Sequence, residues 1–74
     1  MSTPTVAHIL EQARQNIHQA VAAENGSEHQ RSAAHHAQSL ANTILLEDNA
    51  TTAQRERARY YLEEAIGIQT LTTR

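Results

Sequence analysis

Five histidines and a short run of arginines are the side chains best equipped for chemistry in this chain. His8, His18, His29, His35 and His36 are of the type that ligates metals or exchanges protons near neutral pH. A helical metal pair needs ligands four residues apart, on one face and one turn distant. No two of these histidines have that spacing. His35 and His36 diverge by about 100° on a helix, and His29 and His36 share a face but stand about 10 Å apart along its axis. The pattern predicts solvated histidines, with no metal and no cofactor. Arg55, Arg57 and Arg59 follow in the run Arg55-Glu56-Arg57-Ala58-Arg59. They stand near the start of an expected helix, where the macrodipole favours anions. Arg55 and Arg59 share a face and Arg57 lies across from them. Either the local carboxylates of Glu47, Asp48, Glu56 and Glu63 neutralise these arginines, or they grip a small anionic ligand such as a nucleotide.

Other chemistry has little to stand on. The chain has no Cys and no Lys, so nucleophiles are limited to Ser, Thr and Tyr. No glycine-rich phosphate loop is present, and no Ser–His–acid arrangement follows from the spacing. Glu63-Glu64 reads as a pair of solvated helical carboxylates. The expectation is a protein that is not an enzyme. The formal net charge of −2 and the absence of aromatics interleaved with the arginines argue against nucleic acid.

The elements that must position these residues are helices. A chain of 74 residues allows one domain, here 1–74. It has neither Phe nor Trp, and Ala is its commonest residue, so the core must be thin. Cores of this size rarely supply more than roughly 3–5 kcal/mol, and without disulfides a second subunit is the expected reinforcement. Thr3 and Pro4 open a helix over about 4–25, with Val6, Leu10, Ala13, Ile17 and Ala20 on one stripe that Ile9 and Val21 widen. Asn25-Gly26 stops it. Ser27-Glu28-His29-Gln30 has capping-box spacing and starts a second helix over about 27–46. Its stripe is Ala33, Ala37, Leu40, Ala41, Ile44 and Leu45. Glu47-Asp48-Asn49-Ala50 breaks that helix, and Thr51-Thr52-Ala53-Gln54 caps a third over about 51–70.

The expected fold is all-α: a three-helix antiparallel arrangement, a tight hairpin of helices 1 and 2 plus helix 3, assembled as a homo-oligomer. A hairpin of helices 2 and 3, with helix 1 swapped onto another subunit, is the alternative. Helix 3 carries two stripes. Gln54, Ala58, Tyr61, Ala65 and Ile68, with Leu62 at the edge, suit the core. Ala53, Arg57, Tyr60, Glu64, Gly67 and Leu71 recur on a second side, about 100° round the helix from the first, and suit a protein partner. Gly67 costs about 1 kcal/mol relative to Ala inside a helix, which a close helix crossing would offset.

Three short strings resemble known families. Ala58-Arg59-Tyr60-Tyr61-Leu62-Glu63-Glu64-Ala65-Ile66-Gly67 resembles the first helix of a tetratricopeptide unit, which implies a helical binding scaffold. Leu62-Glu63-Glu64-Ala65-Ile66-Gly67-Ile68 is similar to the last helix of the small co-chaperones of type III secretion needle subunits, which bind partner helices. The run Ala58-x-x-x-Leu62-x-Glu64-Ala65 also looks like the end of phage-encoded helical hairpins that sequester cyclic nucleotides, with Ile66-Gly67-Ile68 standing where that family has a bulkier Met-Trp pair. The start of the chain lacks the basic and apolar regions of a signal peptide, and no apolar run would span a bilayer. A cytoplasmic location is therefore expected. The functional expectation is a non-enzymatic protein-interaction module (adaptor, chaperone or inhibitor) acting through helix 3, as a homo-oligomer, on another protein, or both. An anionic-ligand binder using the helix 3 arginines is the alternative.

Overall fold

The computed structural model describes residues 5–72. Three helices form, α1 (Val6–Ala22), α2 (Glu28–Leu45) and α3 (Thr52–Thr72), and each begins behind a hydroxyl residue. The first turn of a helix leaves N–H groups without partners, and a Ser or Thr oxygen supplies one. Thr5 does this for α1, its Oγ1 accepting from the His8 N–H at 3.1 Å. The expected cap Thr3 and the helical Pro4 lie outside the described residues. Ser27 caps α2 by accepting from the Gln30 N–H at 3.1 Å. At α3 the box is fully reciprocal: Thr51 Oγ1 accepts from the Gln54 N–H at 3.1 Å. Gln54 Oε1 in turn accepts from the Thr51 N–H at 2.9 Å.

The turn between α1 and α2 departs from expectation. α1 stops at Ala22, short of Asn25, and Ala23 takes extended backbone. The left-handed residue is Gly26, φ 78°, within the connection rather than against the helix end. One side chain explains both shifts. Gln30 Nε2 donates to the Ala20 carbonyl at 2.9 Å, giving an orphan acceptor of the last turn its partner. Gln30 Oε1 accepts from the Gly26 N–H at 3.0 Å. The amide thus reaches back to Gly26 and not to Ser27, whose own N–H donates to Glu24. Gln30 is buried, with its polar atoms satisfied from two sides. The remaining bounds differ by a residue or two, as helix ends do.

Alanines bring the helices together. Ala13, Ile17, Ala37, Ala41, Ile44, Ala58, Tyr61 and Ala65 form the main buried cluster. Ala20, Ala33 and Ala34 form a second, and Ile68 packs against both. Ile44 is the largest side chain that is fully buried. Val21, expected to widen the α1 stripe, is instead 64% exposed. At that end Ala20 is the residue of α1 that meets Ala33 and Ala34, and Val21, one step round the helix, faces away from that contact. Ala34, outside the expected α2 stripe, is fully buried beside Ala33 in the cluster that Ala20 completes.

α1 packs on α2 and α3 of its own chain. Thr5, Val6 and Ile9 stand beside Glu47, Asn49, Thr51 and Gln54. At the far end Asn25, Gly26 and Gln30 face Ile68 and Leu71. Gln69 Nε2 donates to Gln38 Oε1 at 2.6 Å, tying α3 to α2. The shortest dimension is only 15 Å, so the core between the three helices is thin and each helix keeps an outer face. Among the described residues no helix is long and apolar enough to cross a membrane.

Candidate functional site

Two constraints set how α3 is rotated. Its capping box fixes where the helix starts, and Ala58, Tyr61 and Ala65 press one face into the core. With that rotation, Ala53, Arg57, Tyr60, Glu64, Gly67 and Leu71 all stand exposed on a flank of α3, about 100° round from its core face and on the side of α1. Tyr60 is 59% and Leu71 71% exposed. The Tyr60 ring meets the ring of buried Tyr61 edge-on, centroids 5.9 Å apart at 64°. Edge-to-face contact of this kind holds an aromatic in place, so the exposed ring is braced from beneath. Gly67 has no such internal explanation. A Cβ built there meets nothing within 4 Å, so the expected close crossing is not made within this chain.

The arginines fall into two places. Arg55 Nη2 donates to the Glu47 carbonyl at 2.9 Å, so a backbone oxygen holds it and not a carboxylate. Arg55 and Arg59 border a shallow depression with Thr52 and Glu56. Arg57 opens on a different groove, against Ala7, Leu10, Glu11 and Arg14 of α1. Glu11 and Arg14 already pair there at 2.6 Å. The hydrogen bond from Arg14 holds the Glu11 carboxyl below the usual range, and Glu11 holds the Arg14 guanidinium above its own. Among the described residues that is the only ion pair, so Arg57 and Glu64 have none.

The histidines point outward: His8, His18, His29, His35 and His36 are all exposed. Among the described residues no group of three His, Asp or Glu is placed to hold a metal ion. A hollow of about 280 Å³ lies between Gly26, Gln30, Ile68 and Leu71, where helical periodicity predicts none. Its one sequence signal is Gln30, a polar residue whose burial depends on how the α1–α2 connection folds back. The chain matches no protein-family model, no curated protein and no solved structure.

Proposed function

We propose that this chain is a small non-enzymatic protein-interaction module, of adaptor, chaperone or inhibitor type, that self-associates and works through the outer face of α3. One observation carries the reading. The exposed stripe of α3 holds Tyr60 and Leu71, two large apolar side chains, on one line with Arg57 and Glu64. Aromatic and arginine anchors of this kind dominate interface energetics. The thin alanine core gives a second subunit something to add. The helices run up, down and up in antiparallel order, a reading supported by the Gln30 splice between α1 and α2 and by Leu71 standing beside the α1–α2 connection.

The test is Tyr60→Ala combined with Leu71→Ala, read by light scattering behind size exclusion over a wide concentration range. Truncating two anchors is expected to weaken association by roughly a hundredfold or more. Helix content by circular dichroism should stay near wild type, because neither side chain is buried. Parallel loss of assembly and helix would place both residues in the core and overturn the reading. So would a wild-type chain that is monomeric at every concentration.

A further inference from the structure

The α3 stripe has a property beyond exposure, and its bearing on assembly rests on the reading of that face as a contact surface. Its members, 53, 57, 60, 64, 67 and 71, are spaced four, three, four, three and four apart, the same in both directions. The centre of that palindrome is the level of Leu62. We propose that α3 packs on α3 of a second copy, antiparallel, about a twofold axis at that level. A twofold contact is made of one patch meeting itself, with every pair occurring twice.

The pairs that result are matched in size and charge. Ala53 comes level with Leu71 of the second copy, a small residue against a large one. Arg57 comes level with Gly67 of the second copy, whose missing side chain leaves room for the guanidinium stem. Nothing within the chain fills that space. Tyr60 comes level with Glu64 of the second copy, a hydroxyl donor against a carboxylate acceptor. Helix axes 8–10 Å apart, the ordinary packing distance, suit such alternation.

The charges point the same way. Arg57 has only Ala53, Gln54, Tyr60 and Tyr61 three or four residues away, and Glu64 only Tyr60, Tyr61, Gly67 and Ile68. Neither has an opposite charge at helical spacing on its own helix, whereas Arg59 has Glu56 and Glu63 at that spacing, although it pairs with neither. Glu11, the carboxylate across the groove from Arg57, is taken by Arg14. In the antiparallel pair Arg57 stands only about 4.5 Å along the axis from Glu64 of the second copy. A parallel pair would set Arg57 on Arg57, Glu64 on Glu64 and Leu71 on Leu71, which like-charge repulsion disfavours.

The chain has no cysteine, so introduced ones report cleanly. Ala53→Cys chains mixed with Leu71→Cys chains under mild oxidation should give a disulfide-linked mixed dimer. The yield should be at least about tenfold above that of either variant alone, because facing sites in a complex have high effective concentration. Equivalent 71 positions lie about 27 Å apart along the axis, far beyond the reach of a disulfide. A mixture of Arg57→Cys with Gly67→Cys keeps the test open where the loss of Leu71 itself weakens the pair. Linking of Leu71→Cys to itself would overturn the antiparallel arrangement. A dimer by light scattering in which neither mixture links would overturn the register, yet leave self-association through α3 standing. A monomer at all concentrations would overturn both.

Gly67→Ala gives an independent readout. The added methyl meets open space in the single chain, so better helix propensity raises monomer stability. The same methyl intrudes on Arg57 of the second copy, and the dimer dissociation constant is expected to rise several-fold. A tighter dimer would count against the proposed facing pairs.

Discussion

Ile44→Ala is expected to abolish cooperative folding at ordinary temperature. Ile44 has no exposed surface, and the other fully buried side chains are alanines: Ala13, Ala20, Ala34, Ala37, Ala41, Ala58 and Ala65. Removing a buried Ile to Cβ costs about 2–5 kcal/mol, more where the surroundings fail to collapse into the gap. Here little can collapse into the gap, because Ile17 and Tyr61 are the only other large buried members of its cluster and the rest are alanines on helices already close together. The loss rivals the roughly 3–5 kcal/mol that a core of this size supplies. A thermal melt followed by circular dichroism should change from a sigmoid to a shallow slope. Leu46→Ala is the control, since Leu46 is 84% exposed and its truncation should leave the melt almost unmoved. A sharp transition in Ile44→Ala within a few degrees of wild type would mean the stability resides elsewhere, in subunit contacts above all. Concentration dependence of the melting temperature would then identify that source.

The helices themselves were legible because they are local. Ser27-x-x-Gln30 and Thr51-x-x-Gln54 mark helix starts by hydrogen bonds made within one turn, and both are present. The inner stripe of α3 was legible as well, since Ala58, Tyr61 and Ala65 follow helical spacing into the core. The membership of the outer stripe comes from the same arithmetic. What periodicity does not carry is where the seam between helices centres. Val21 satisfies the helical repeat yet lies outside the core, because the contact with Ala33 and Ala34 centres on Ala20 and leaves the next position of α1 facing away. The Arg55 bond to the Glu47 carbonyl spans the α2–α3 connection and depends on where that loop returns. The unfilled space at Gly67 is likewise a tertiary fact: a glycine in a helix signals close approach, but only the packed chain shows that no part of itself makes that approach.

Gln30 is where local and tertiary structure meet, and Gln30→Ala is expected to have the second largest effect. The substitution leaves the Ser27 cap intact, because that bond uses the Gln30 backbone N–H. It removes the donor to the Ala20 carbonyl and the acceptor from the Gly26 N–H together. Each polar group left without a partner away from water costs about 1–3 kcal/mol. One kcal/mol shifts the melting temperature of a domain this small by about 4–8 °C, so a fall of about 10 °C or more is expected. Gln30→Glu separates the two bonds. A carboxylate can still accept from the Gly26 N–H, but it has nothing to donate to the Ala20 carbonyl and sets a negative charge against it. If the splice to Ala20 closes α1 onto α2, Gln30→Glu should melt at least as low as Gln30→Ala, and acid should restore part of the difference by returning a donor to the side chain. Hydrogen exchange at the Gly26 amide distinguishes the two variants, staying slow in Gln30→Glu and becoming fast in Gln30→Ala. Melting temperatures of both variants equal to wild type would mean that water replaces the amide without cost, and that the α1–α2 connection is held by the alanine seam alone.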